Sequence, residues 1–122
     1  MPAPAKRSRT RTASSATKQS RAQRDDFAAF ICEQLADLPG LKCRAMFGGH
    51  GLYAGEKFFG IVWRGALYFK TSPETVGDYL AADMGRFRPG AKQTLHNYYE
   101  VPARVLERRG ELLAWARRAA AL

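Results

Sequence analysis

The sequence predicts an α+β domain of two layers, in which an antiparallel sheet packs on helices. Three observations carry this prediction: apolar residues recur every three or four positions over 25–38, they form short runs broken by tight turns over 41–71, and the helical spacing returns over 103–120. The predicted order is helix, three or four strands, helix, one or two strands, helix. This order places the helices on one face of the sheet.

The positive charge is concentrated at the start of the chain. The 122 residues have a net charge of +9, but residues 1–24 contain seven basic and no acidic residues, whereas the remainder contains 13 basic and 11 acidic residues. The first segment also lacks the apolar residues that a packed core requires. We therefore predict a disordered basic tail over 1–24 and one folded domain over 25–122.

Three roles are open for the basic tail: an arm that contacts nucleic-acid phosphates, an organellar transit peptide, or a solvated extension without a dedicated role. In the first case, nonspecific contacts to nucleic acid would come from Lys6, Arg7, Arg9, Arg11, Lys18, Arg21 and Arg24. The folded part has a net charge of only +2 and therefore does not by itself indicate a nucleic-acid groove.

The first helix is predicted over 25–38. Asp25 or Asp26 is placed to cap its first turn, and Pro39-Gly40 ends it. Its apolar residues are spaced to share one face: Phe27, Phe30, Ile31, Leu35 and Leu38.

A meander of antiparallel strands is predicted over 41–71. Apolar and polar residues alternate from Leu41, and short turns at Gly55 and Gly65 separate the later aromatic-rich runs. A glycine cluster at 48–51 interrupts the first of these runs. The meander has three strands if the cluster bends one strand, and four if it separates two.

The second half of the chain returns to helices around one more strand region. Ser72 is placed to cap a helix that ends at Gly85, and 87–92 is predicted as a loop or weak strand. Residues 95–101 form the last predicted strand, with Tyr98 and Tyr99 on opposite faces. The closing helix covers 103–120, and Gly110 is placed to divide it.

The two cysteines, Cys32 and Cys43, fall in the first helix and the first strand. Neither has a second cysteine or a histidine at the spacing of a metal site. We expect buried free thiols in a reducing compartment, with a disulfide between them as the alternative. We also expect no membrane segment and no secretory signal.

Four short sequence blocks occur in one order along the folded part. They are MFGGHGLY at 46–53, LYFK at 67–70, YYEVP at 98–102 and LLAWA at 112–116. Together they resemble the N-terminal domain of the TfoX/Sxy family of competence regulators, over residues 25–122. The matching residues are Met46, Phe47, Gly48, Gly49, Gly51, Tyr53, Tyr68, Lys70, Tyr98, Tyr99, Pro102 and Trp115.

The resemblance implies a fold, a location and a function. It implies one antiparallel sheet packed against helices, a cytoplasmic location and no catalysis. Longer relatives regulate DNA-uptake genes by assisting a transcription activator, so the expected partner is a protein and its expected class is a transcription regulator. Those relatives carry a second, C-terminal domain, whereas this sequence ends at Leu122 with the closing helix; we expect no such domain here.

The glycine cluster does not fit a phosphate-binding loop. Such loops place their last glycine, or a Gly-Lys-Ser/Thr run, at the head of a helix, but Leu52 and Tyr53 follow here and continue as a strand. We interpret the cluster as a strand bend or bulge. His50 beside it is the better functional candidate of the two histidines, yet it lacks a neighbouring nucleophile or metal ligand. We therefore predict no catalytic, cofactor-binding or metal-binding residue.

Aromatic residues are unusually frequent on the predicted strands: Tyr53, Phe58, Phe59, Trp63, Tyr68, Phe69, Tyr98 and Tyr99. Because strands alternate, some of them face away from the helices. They could be core, form a protein interface or stack nucleobases.

From the sequence we expect a non-enzymatic regulatory or adaptor domain that acts through protein contacts. The first alternative is a nucleic-acid accessory protein that uses the basic tail. The second is a small ligand-binding or enzymatic pocket near the glycine-rich turn. Neither the partner nor the oligomeric state follows from the sequence.

Overall fold

The computed structural model describes residues 21–46, 48–90 and 93–122 and confirms the α+β prediction. One antiparallel sheet packs against helices, as expected. Within the described residues the elements are α1 (Arg21–Gln34), β1 (Leu41–Met46), β2 (Gly49–Ala54), β3 (Lys57–Trp63), β4 (Ala66–Lys70), α2 (Val76–Ala81), β5 (Arg86–Gly90), β6 (Gln93–Glu100), α3 (Ala103–Leu106) and α4 (Arg109–Ala120).

The six described strands form one sheet in the order β1-β2-β3-β4-β6-β5, with every neighbouring pair antiparallel. The first four strands are a meander. The glycine cluster separates β1 from β2, which gives the four-stranded alternative. It forms a turn between two paired strands, so its interpretation as a bend or bulge of a strand is wrong. Gly48 lies in the turn between them at φ 80°, a backbone conformation that glycine adopts without steric cost.

A β-bulge in β3 decides which side chains face the helices. Leu52 pairs with Gly60 but Tyr53 pairs with Phe58, so Phe59 is the extra residue. Phe59 is fully buried in the core on the helix side. A Cβ added at Gly60 would lie 3.1 Å from Leu52 Cδ1 and 3.2 Å from Phe69 Cδ1, on the same side. Because two consecutive residues occupy the helix side, Ile61 and Trp63 return to the opposite face together with Phe58.

The helices cover one face of the sheet and enclose the main core. The Gln34 Nε2 donates to the Leu106 carbonyl over 3.1 Å and joins α1 to α3, while the rings of Tyr79 and Trp115 meet edge-on, with centroids 4.8 Å apart, between α2 and α4. The residues with no exposed surface in this core are Ile31, Leu35, Leu52, Phe59, Leu67, Phe69, Val105, Leu112 and Ala116.

The first helix differs from its predicted bounds. It is helical from Arg21 and ends at Gln34, so Asp25 and Asp26 lie within it and do not cap its start. Arg21 and Arg24, assigned from the sequence to the basic tail, belong to this helix, whereas residues 1–20 lie outside the described residues. Phe30 is 40% exposed and does not join the core face, because the helix presents Ile31 and Leu35 to the sheet.

The second and closing helices are also placed differently. Ser72 forms the turn before α2: its hydroxyl accepts from the Glu74 amide at 3.3 Å and its carbonyl accepts from the Val76 amide at 2.9 Å. The helix therefore begins at Val76, without a side-chain cap. The closing region breaks at residues 107–108, between α3 and α4, whereas Gly110 lies inside α4.

Cys32 and Cys43 form a disulfide, so the expectation of free thiols is wrong. The helix α1 lies against β1, which brings the two Cα atoms to 6.7 Å, within the range of disulfide geometry. Both side chains are half-buried beside the main core. The bond ties α1 to an edge strand of the sheet. No helix within the described ranges has the length and apolar character needed to cross a membrane.

Candidate functional site

The sheet face opposite the helices, here called the open face, carries a second aromatic cluster. Strand alternation and the bulge place Tyr53, Phe58, Trp63, Tyr68 and Tyr98 on it. Phe59, Phe69 and Tyr99 lie in the core on the helix side. The sequence correctly predicted that the aromatic strands serve two faces, and Tyr98 and Tyr99 take opposite sides as expected.

One row of rings crosses the open face from β1 to β6. The Arg44 guanidinium lies over the Tyr53 ring at 5.4 Å, the Tyr53 and Phe58 centroids are 5.2 Å apart, and Phe58 is 5.6 Å from Tyr98. The Tyr98 hydroxyl reaches the Phe58 carbonyl at 3.5 Å. Contacts of this kind add about 0.5–1.5 kcal/mol beyond burial for each aromatic pair.

A second row of rings lies at the opposite end of β3. The Arg64 guanidinium lies over the Trp63 ring at 5.4 Å, Trp63 meets Phe87 edge-on at 6.0 Å, and Phe87 meets Tyr68 at 4.8 Å. Phe87 is on β5, three strands away from β3 in the sheet, a distance of about 14 Å if the sheet were flat. The sheet therefore curls across the open face, and Phe87 is buried there.

Gly49 and Gly51 leave β2 without side chains between these rows. A Cβ added at Gly51 would lie 2.9 Å from the Met46 Sδ and 3.0 Å from the Phe58 ring, and one at Gly49 would overlap the Val62 carbonyl oxygen. The space over both glycines is therefore filled by neighbouring atoms. Next to Gly49 lies an apolar groove of about 420 Å³, within the usual range of binding pockets. We call it the open-face groove; its lining includes Met46, Gly49, Ile61, Trp63, Phe87 and Pro89.

A second, more polar cavity of about 520 Å³ lies at the glycine-rich turn. Its lining includes Arg24 and Asp25 from α1, the half-buried His50 from β2 and Arg64 from the β3–β4 turn. Among the described residues, no three His, Cys, Asp or Glu side chains come together as metal ligands. The turn that the sequence singled out therefore borders both cavities, the polar one on the helix side and the open-face groove.

Basic groups are arranged differently on the two faces. Three ion pairs among the described residues belong to the helix side: Arg104–Glu111 at 3.0 Å, Arg109–Asp37 at 3.6 Å and Arg118–Asp78 at 2.8 Å. On the open face, alternation places Lys42, Arg44 and Lys70, and Arg64 joins them through its contact with Trp63. None of these four takes part in an ion pair within the described part of the chain.

Burial sets the ionisation of the polar groups on the open face. It raises the pKa of Tyr68 to about 12, with the charge of Glu100 adding to the effect, and it also raises the pKa of Tyr98. Burial raises the pKa of the half-buried Glu100 as well. The tyrosines therefore remain neutral hydrogen-bond donors at pH 7, so the face offers apolar contact and positive charge for binding a ligand.

Several residues of the four sequence blocks meet on the open face. Met46, Gly49, Gly51, Tyr53, Tyr68, Lys70 and Tyr98 lie there, on four different strands. Tyr99 and Trp115 lie in the main core, and Pro102 is buried before α3. Phe47 falls outside the described residues, as do Lys6, Arg7, Arg9, Arg11 and Lys18 of the basic tail.

Three contributors to the open face were not found from the sequence: Arg44, Arg64 and Phe87. Phe87 was assigned to a loop or weak strand because Pro89 and Gly90 interrupt the pattern around it. The sequence pattern assigned no role to the two arginines. A signal was nevertheless present for Arg44, since it is two residues from Met46 on the same face of a strand.

A comparison with protein families identifies residues 33–122 as matching the TfoX N-terminal domain. The match spans most of the chain, from the last two residues of α1 to the last residue of the sequence. No curated protein gives a significant match.

Proposed function

Because this chain belongs to the TfoX N-terminal domain family, we propose that it is a regulatory adaptor domain that acts through protein–protein contacts in the cytoplasm. Its expected partner is a component of transcription regulation. The observation that carries the proposal is the open face, where half-buried aromatic rings and basic groups without acidic partners surround an apolar groove. Aromatic residues and arginine are the types enriched at protein interfaces.

The chemistry of the open face supports binding in preference to catalysis. A catalytic base needs a pKa near the working pH and a reacting group within hydrogen-bond reach. On this face the tyrosine pKa values are raised far above neutrality. Other polar groups described there are cations stacked on rings, Lys42, Lys70 and one half-buried carboxyl. His50 also lines the groove, but among the described residues no three His, Cys, Asp or Glu side chains come together as metal ligands.

Affinity capture tests the proposal. The full chain, tagged at its C-terminus, would be recovered from its own cells together with bound proteins, next to a Trp63→Ala variant and an Arg117→Glu control on the exposed surface of α4. We expect a specific set of co-purifying proteins that Trp63→Ala loses and Arg117→Glu keeps. Identical protein sets for all three chains, or turnover of a small substrate by the purified chain in the absence of any partner, would contradict the proposal.

The charge of residues 1–24 favours a second candidate function, a nucleic-acid accessory role. Seven basic residues could neutralise several phosphates, and log affinity would then fall with log salt by roughly 0.9 per contact. Deleting residues 1–20 should abolish DNA binding by the purified chain. Unchanged binding, with the same salt slope, would remove this candidate.

A further inference from the structure

The open face combines an apolar floor with a basic rim. The open-face groove of about 420 Å³ is lined by Met46 and Trp63, among others. The Arg64 guanidinium stands over the Trp63 ring, and Arg44, two residues from Met46 on β1, stands over the Tyr53 ring. Lys42 is exposed on the same face of the edge strand β1. None of these three cations has an acidic partner among the described residues, although the open face also carries the half-buried Glu100 beside Tyr68. The side of the groove formed by Lys42, Arg44 and Arg64 is therefore positively charged.

The ring geometry disfavours nucleobases as the ligand. Base stacking requires exposed ring faces. On this face the Tyr53 and Trp63 rings are each covered by an arginine, while Phe87 is 6% exposed and Tyr98 is 7% exposed. The remaining contacts are tilted or edge-on, with Phe87 at 85° to Trp63 and at 63° to Tyr68. The rings therefore pack on one another and leave no stack of parallel faces open to solvent.

The groove is large enough for one side chain, because its volume is about 420 Å³ and most of its lining residues are apolar. The nearest atoms to a Cβ at Gly51 are the Met46 Sδ and the Phe58 ring, and Met46 is the flexible member of this pair. A large apolar side chain from a partner would bury its surface against Ile61, Trp63 and Phe87, which lie around the floor. Apolar anchors in such pockets, ringed by polar contacts, carry most of the binding energy at interfaces.

We propose that the open face binds a short acidic segment of a partner protein, with one large apolar side chain in the open-face groove and carboxylates on the rim formed by Lys42, Arg44 and Arg64. This inference rests on the proposed adaptor function and adds the chemistry of the partner. The arginines are well suited to this role because the guanidinium group binds carboxylates in a bidentate manner while stacking on a ring.

A selection with random peptides tests the inference, because it requires only the chemistry of the ligand and not the identity of the partner. A displayed library of random short peptides would be selected on the full oxidised chain at physiological salt. We expect the enriched peptides to be rich in Asp and Glu and to share one Phe, Leu, Trp or Met. Enrichment of neutral or basic peptides, or no enrichment above display background, would overturn the proposal.

Three variants locate the binding of one enriched peptide. Arg44→Glu should weaken it by about tenfold, because a rim cation becomes an anion. Gly51→Ala should weaken it by at least about fivefold, because the new methyl group displaces the Met46 side chain toward the groove. The matched control Arg117→Glu, which makes the same charge change on the helix side, should leave the affinity within about twofold. Equal losses for Arg44→Glu and Arg117→Glu would overturn the assignment, and thermal melts verify that each variant is folded.

Two other occupants are separate outcomes of the same experiment. Binding of oligothymidylate that Arg44→Glu abolishes, without acidic peptide enrichment, would assign the face to nucleic acid. A chain that sediments as a dimer, and that Arg44→Glu dissociates, would assign it to a second copy. Either result overturns the acidic-segment proposal. The adaptor function is tested separately from the acidic segment. It is contradicted if affinity capture recovers the same proteins with the native chain and with the Trp63→Ala variant.

Discussion

The two faces of the sheet are built from similar residues but differ in how exposed their aromatic side chains are and in how their cations are paired. On the helix side, Phe59, Phe69 and Leu67 have no exposed surface, and three arginines of the covering helices are paired with acids. On the open face, Phe58, Trp63 and Tyr68 remain half-exposed. Arginines lie over rings on both faces, but Arg44 and Arg64 on the open face have no acidic partner among the described residues. The comparison indicates that one face supplies most of the stability, whereas the other keeps apolar area and charge available for a partner.

Phe58 and Phe59 provide a sharp test of this comparison because they are adjacent, chemically identical and on opposite faces. Phe59→Ala should lower the free energy of unfolding by about 3–5 kcal/mol, the cost of a large cavity in a closed core. Phe58→Ala should cost about 1–2 kcal/mol, since its side chain is only half-buried. Urea unfolding measures both. If Phe59→Ala does not fold, Phe59→Leu and Phe58→Leu can be compared instead, and Phe59→Leu should lower the free energy of unfolding more. Equal losses at the two positions would show that the faces do not differ.

Loss of the disulfide should affect stability but not the open face. The bond encloses a segment with a sequence separation of 11 residues, for which chain entropy gives about 2–3 kcal/mol. The Cys32→Ala/Cys43→Ala double variant should therefore unfold at lower urea concentration. Its affinity for the selected peptide should match that of the native chain, because the bond joins α1 to β1 on the helix side.

The control for this prediction is reductant. It should lower the stability of the native chain to that of the double variant and leave the double variant unchanged. In a reducing cytoplasm the same loss of stability would apply. A change in peptide affinity upon reduction would show that the disulfide also shapes the open face.

Two glycines, one on each face, extend the comparison. Gly60→Ala adds a methyl group 3.1 Å from Leu52 Cδ1 and 3.2 Å from the Tyr68 carbonyl oxygen; overpacking there should cost about 1–3 kcal/mol. Gly51→Ala meets only side-chain atoms, the Met46 Sδ at 2.9 Å and the Phe58 and Tyr53 rings at 3.0 and 3.3 Å. Because these half-exposed side chains can shift toward solvent, the substitution should cost about 1 kcal/mol, less than Gly60→Ala. Thermal melts should therefore separate the pair. A larger loss for Gly51→Ala would mean that the open face is as rigidly packed as the core.

Glu100→Gln should give the smallest effect. Burial raises the pKa of Glu100 in the folded chain above 4.5, so the folded state favours the protonated form. Protonated Glu100 therefore contributes to the free energy of unfolding at low pH, and this contribution is lost as the pH rises through the pKa of the folded state. At pH 7 the Gln variant should gain less than about 1 kcal/mol, because the group is still partly solvated. The gain should disappear below pH 4.5, and a gain that persists there would contradict the assignment to ionisation.

The sequence predicted the order of elements and the family because both depend on local patterns. The order of the strands followed from the alternation over 41–71 and the turns at Gly55 and Gly65. The family followed from the four ordered blocks. It did not predict which face Ile61 and Trp63 occupy, since residues 58–63 are all apolar or glycine and carry no alternation. The bulge at Phe59 becomes visible only when β3 is paired with β2.

The open face was only partly predictable for a similar reason. Its strand aromatics were identified, but Phe87 reaches Trp63 and Tyr68 through the curl of the sheet, which no local pattern encodes. The sequence also predicted the break in the closing helix at Gly110, whereas α3 and α4 are separated at residues 107–108. Glycine is tolerated inside α4, where a Cβ would meet no atom within 4 Å, so its presence did not mark a boundary.

Site-specific photo-crosslinking in cells tests most directly whether the open face is the recognition surface. A benzophenone amino acid would replace Lys42, exposed on the open face, or Arg117, exposed on α4. We predict that the Lys42 position gives discrete protein adducts under conditions in which the Arg117 position gives none. Adducts from the Arg117 position alone, or equal adducts from both positions, would contradict the claim that the open face is the recognition surface.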